Sequence, residues 1–147
     1  MKLYYKDLLS SVTQGECIEV MTKMAEKGLK FDAIITDPPY GTTACKWDSI
    51  IPFDKMWECI NNLRKENTPV ILFGSEPFSS ALRMSNIKEF KYDWIWNKRL
   101  AGNGLLAKRQ PLKIHEIVSM FYKHHYFPIK TKGKMRQKMF DGKQQSE

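Results

Sequence analysis

A β-branched run stopped by two prolines is the feature that most constrains this chain. Phe31-Asp32-Ala33-Ile34-Ile35-Thr36, with Gly28 before it, reads as a short buried strand that must end at Asp37-Pro38-Pro39-Tyr40-Gly41. Proline has no amide hydrogen and holds φ at about −65°, so two in succession form a stiff, extended frame. That frame offers carbonyl oxygens and a neighbouring carboxylate, and no donors. Taken alone, the tetrapeptide is either an ordinary turn or a rigid acceptor site.

The flanking patterns place it in a fold. Val12-Thr13 closes a short strand-like stretch before a turn at Gln14-Gly15, and Cys17, Val20, Met21 and Met24 recur at helical spacing up to a stop at Gly28. A second helix is predicted over 51–65, with Phe53, Met56, Trp57, Ile60 and Leu63 on one face and Pro52 in its first turn. Pro69-Val70-Ile71-Leu72-Phe73 before Gly74-Ser75 reads as a second buried strand and 77–84 as another helix; 92–96 and 114–122 are further strand candidates. Helices alternating with short apolar strands predict an α/β layer fold with a largely parallel sheet and flanking helices. Ligands of such sheets bind beyond the carboxyl ends of the strands, where Asp37-Pro38-Pro39-Tyr40 and Gly74-Ser75-Glu76 both fall.

Composition narrows the class. The 147 residues suffice for one domain, and 42% hydrophobic content with 12% aromatics supports a packed core. No apolar run is long enough to span a bilayer and no signal peptide opens the sequence, so a cytoplasmic protein without a membrane partner is expected. Cys17, Cys45 and Cys59 show no metal-ligand spacing with one another or with the histidines; reduced thiols and no metal site are expected. The net charge of +8 is unevenly spread: residues 1–93 carry 12 Lys/Arg against 13 Asp/Glu, and residues 94–147 carry 12 against 3. One-sided basicity suits a polyanion such as nucleic acid, or equally a merely solvated basic surface. The irregular stretch 97–113 is a basic loop over the sheet edge, and 130–147 a basic flexible tail following a domain of residues 1–129.

A donor-free corner of this kind fits an exocyclic amine. Asp37 can accept one N–H and the Pro38 carbonyl the other. Acceptors set off the base plane favour a pyramidal nitrogen whose lone pair is free for an electrophile, and Tyr40 supplies a surface for stacking. At these residues the chain resembles the amino-directed DNA methyltransferases, the adenine-N6 and cytosine-N4 enzymes, in the arrangement where the catalytic motif precedes the cofactor motif. The resemblance runs from about residue 3 to 125. It takes in Phe31 to Thr42, Gly15-Glu16-Cys17-Ile18-Glu19-Val20-Met21, Leu72-Phe73-Gly74-Ser75, Asp93-Trp94-Ile95-Trp96-Asn97-Lys98, and Gln110 to Glu116 with Phe121-Tyr122-Lys123.

The resemblance implies a phage or bacterial enzyme with S-adenosylmethionine (SAM) as cofactor and double-stranded DNA as partner, in DNA modification of the restriction-modification kind. It implies catalytic roles for Asp37, Pro38, Pro39 and Tyr40, and cofactor binding by Glu16, Cys17 and Asp37, with Glu at 16 where the family usually has Asp. Lys98, Arg99, Lys108, Arg109 and Lys113 become phosphate contacts, their alternative being a solvated basic loop. Trp94 and Trp96 read as packing residues and His115 as structural. The family's glycine-rich cofactor strand has no counterpart after Lys130, and Gly102-Asn103-Gly104 follows no buried strand. The expectation is a partial Rossmann-like methyltransferase fold, C-terminally truncated, with one sheet edge unpaired and a second polypeptide or dimer partner completing the cofactor site. A non-catalytic DNA-binding remnant is the alternative.

Overall fold

A computed structural model describes residues 2–6, 11–102, 104–123, 125–126 and 128–133. Strands β1 (Lys2–Lys6) and β2 (Ser11–Gln14) form an antiparallel hairpin. Helix α1 (Cys17–Glu26) follows, capped by Glu16 and ended by Gly28, whose φ of 71° is one that L side chains rarely adopt. The remaining elements are β3 (Ile34–Thr36), α2 (Phe53–Leu63), β4 (Val70–Gly74), α3 (Phe78–Ser85), β5 (Phe90–Asn97) and β6 (His115–Phe121). These six were anticipated from the sequence to within a few residues, whereas β1 was not. The chain is therefore of the α/β class.

The four-stranded sheet has the order β3-β4-β6-β5. Only β3–β4 is parallel; β4–β6 and β5–β6 are antiparallel, which corrects the expectation of a largely parallel sheet. The reason is the connection after β5. Its described residues form an irregular loop with a 3-10 turn over Gly104–Leu106 and no crossover helix, so β6 returns antiparallel and inserts between β5 and β4.

The core lies on one face of this sheet. Met56, Trp57 and Ile60 of α2, with Phe78 and Leu82 of α3, pack on Val70, Leu72 and Phe121. Fully burying one such apolar side chain contributes roughly 1.5–3 kcal/mol. Arg64, buried at the end of α2, is held by Glu89 through two bonds of 2.6 and 2.8 Å. The opposite face is open. Ile35, Ile71, Phe73, Val118 and Trp94 line a shallow apolar depression of about 480 Å³ there, with Ile35 63% and Trp94 53% exposed. Strand β3 is thus an edge strand with one side chain turned out, not the buried strand its composition suggested, because no described element covers that face.

Candidate functional site

The carboxyl end of β3 is the corner of interest. Asp37 is exposed, Pro38 buried, and Pro39 and Tyr40 half-buried. Phe78, at the start of α3, fixes the Tyr40 ring at a centroid distance of 5.2 Å and a tilt of 31°. The Tyr40 hydroxyl donates to Asp37 Oδ1. Burial first, then this bond and the carboxylate charge, push the Tyr40 phenol above its ordinary pKa, so it stays a donor at neutral pH. Asp37 Oδ2 receives no donor among the described residues. The four residues line a cavity of about 290 Å³ that they share with Thr42, Thr43, Trp47 and Asp48. Asp37 therefore faces a cavity, as the acceptor reading requires.

The rest of the cavity lining is built around Asp48, which is 8% exposed. Its Oδ1 accepts from the Gly41 amide at 2.8 Å, and its Oδ2 from the amides of Thr42 (2.8 Å) and Thr43 (2.7 Å) and from the Thr43 hydroxyl (2.8 Å). Gly41 has a φ of 68°, so the turn out of the prolines uses a backbone conformation that L side chains rarely adopt. The Thr43 hydroxyl bond lowers the Asp48 pKa most; desolvation opposes it, the three amides reinforce it, and the carboxyl is held down to about 2. Sequence reasoning missed Asp48, Thr43 and Trp47. An aspartate in a polar stretch carries no signal until the chain is seen to turn back on it.

The other candidates are distributed differently. Glu16 spends its carboxylate on its own helix, Oε2 accepting from the Glu19 amide at 2.8 Å and Oε1 from the Cys17 thiol at 3.3 Å. Those bonds, the Glu19 amide foremost, lower its pKa, and burial raises that of the Cys17 thiol. Neither residue lines the Asp37 cavity. Lys98 and Lys113 line a second cavity of about 430 Å³ with Ser75, His115 and Glu116. In it Lys113 donates to the Ser75 hydroxyl at 2.6 Å and Lys98 pairs with Glu116. Arg99, Lys108 and Arg109 are exposed outside that cavity. Cys17, Cys45 and Cys59 are free thiols, and no cluster able to hold a metal ion occurs among the described residues.

No protein-family model and no curated protein matches the sequence. Solved structures do match. A crystal structure of M1.HpyAVI superposes with a TM-score of 0.55 at 21% identity, over 74% of this chain and 53% of that one. The M1.HpyAVI–SAM complex superposes with a TM-score of 0.59 at 20% identity, over 83% of this chain and 61% of that one. The chain shares that fold. It spans between half and two thirds of the length of those solved chains. No helix among the described residues is long and apolar enough to cross a membrane.

Proposed function

We propose that this chain is the base-binding and catalytic part of a SAM-dependent DNA methyltransferase acting on the exocyclic amine of an extruded base, adenine N6 ahead of cytosine N4. The observation that carries the reading is the Asp37 cavity: a free carboxylate oxygen, a donor-free Pro-Pro frame and an aromatic ring converge at the carboxyl edge of an α/β sheet. The likeness in fold to M1.HpyAVI, one of whose structures is a complex with SAM, supports it.

The residues act on the amine as follows. Asp37 Oδ2 accepts one N–H and the Pro38 carbonyl the other, drawing the nitrogen toward a pyramidal geometry and turning its lone pair outward. Tyr40, protonated, holds Asp37 in place through Oδ1 and stacks on the base. Bound SAM supplies an electrophilic methyl group. The methylated ammonium is acidic enough to lose its proton without a strong base in the site.

The described residues do not by themselves enclose the cofactor, because Glu16, which caps α1, and Cys17 lie outside the Asp37 cavity. In this reading a glycine-rich turn from outside the described residues, in a longer form of this chain or in a second polypeptide, completes the cofactor site and pairs along the open edge of β3. Lys98, Arg99, Lys108, Arg109 and Lys113 neutralise phosphates of the double-stranded DNA around the target. Methyl transfer from labelled SAM, followed by mass spectrometry of the digested nucleosides, tests the chemistry. Asp37→Ala is expected to abolish transfer and leave DNA affinity within about three-fold; parallel loss of both would contradict the catalytic role. The Glu16 geometry also favours a second reading, in which the chain binds DNA without methylating it. Calorimetry with DNA and the completing glycine-rich segment both present separates the two, since heat on adding SAM belongs only to the first.

A further inference from the structure

The loop between β3 and α2 has two features that the catalytic motif leaves unused. Asp48 gathers three consecutive backbone amides and a hydroxyl onto one carboxylate, and its own amide donates to the Cys45 carbonyl at 3.0 Å. The loop is therefore a pinned structure. The residue beside the pin is Trp47, which is 75% exposed, whereas Trp57 of α2 is 7% exposed. An indole carries a large apolar surface, and a tied loop that keeps it in water forgoes the burial that a slack loop could reach. Trp47 lines the same cavity as Asp37 and Tyr40.

We propose that Trp47 is a base-contacting residue that supplies a second aromatic surface to the extruded base, with Asp48 as the residue that positions it. The inference rests on the base-binding reading above and extends it, because the acceptor corner accounts for only one wall of the cavity. Tyr40 is committed on one side to Phe78, so a base stacked on it leaves its outer face to water unless another ring covers that face. Trp47 is the other aromatic residue that lines the cavity. Stacking of this kind tolerates any base, so Trp47 contributes to holding an extruded nucleotide and not to reading sequence.

The test compares two fluorescein-labelled duplexes of identical sequence in anisotropy titrations, one fully paired and one carrying an adenine opposite an abasic site, where extrusion costs least. The wild-type chain is expected to prefer the duplex with the unpaired adenine. Trp47→Ala is expected to reduce that preference about ten-fold, the order of one base–aromatic stack, with affinity for the paired duplex unchanged. Trp47→Phe should keep most of the preference, Asp48→Asn should reduce it, and Trp94→Ala, at an exposed indole on the open sheet face, should leave it intact. A preference that survives Trp47→Ala but falls in Asp37→Ala overturns the role of Trp47 and leaves the base-binding reading standing. Equal weakening of both duplexes by Trp47→Ala also overturns it, as a contact to DNA in general. No preference in the wild-type chain overturns both.

Discussion

Asp37 and Asp48 sit eleven positions apart and play opposite electrostatic parts. Asp37 is exposed with one oxygen unengaged, whereas Asp48 is buried with both oxygens engaged by four donors. The first could be read from the sequence because proline acts on its own backbone: the constraint is covalent and needs no tertiary partner. The second could not, because its donors meet it only after the chain has turned at Gly41. The Asp48 pKa of about 2 lies below the ordinary carboxylate value near 4, so its contribution to loop stability is complete above about pH 4. That contribution is lost as pH falls from about 4 through 2. The amide resonances of Gly41, Thr42 and Thr43 should accordingly stay constant from pH 7 to 4 and shift together between about pH 4 and 2. In Asp48→Asn that transition should be missing; its persistence would mean that another group controls the loop.

Among the elements, the helices were legible because α2 repeats its apolar residues every three or four positions, and Met56, Trp57, Ile60 and Leu63 are indeed buried. Sheet order was not, since periodicity within a strand says nothing of which strand lies beside it, and β6 inserts between β4 and β5. The ion pair between α2 and the start of β5 was equally invisible. Burial raises the Glu89 pKa, but the bidentate Arg64 guanidinium and the Asn86 amide outweigh it and leave the carboxyl below its ordinary value. Glu89→Ala leaves Arg64 buried without its partner and should cost about 3–5 kcal/mol in urea unfolding. Gly74 ends β4 where α3 begins, and a Cβ there would stand 2.5 Å from Ser79 Oγ, a buried hydroxyl without a hydrogen-bond partner. Gly74→Ala should therefore destabilise by roughly 1–3 kcal/mol, and the double variant with Ser79→Ala by less. Additive losses would show that the close approach is not the cause.

At the scale of the whole molecule, charge was legible from composition and the open sheet face was not. Five of the twelve basic residues of 94–147 fall on the loop between β5 and β6, with Lys98 and Lys113 in one cavity and Arg99, Lys108 and Arg109 exposed. If Lys108 and Arg109 contact phosphates, their joint replacement by Ala should lower DNA affinity and reduce the slope of log K against log salt by about two. An unchanged slope would remove them from the interface. The apolar strip of Ile35, Ile71, Phe73, Val118 and Trp94 is left uncovered by the described residues, whereas composition counted those residues toward a core. In the proposed reading the corner at Asp37, on the carboxyl edge of the sheet, grips an amine. Binding of two duplexes that differ only in the base opposite an abasic site, adenine or hypoxanthine, tests this most directly, because hypoxanthine presents a carbonyl oxygen where adenine presents its amine. We predict at least about ten-fold tighter binding of adenine, lost or reversed in Asp37→Asn, whose amide can donate to the carbonyl. Equal binding of the two bases by the wild-type chain, or a preference untouched by Asp37→Asn, would contradict it.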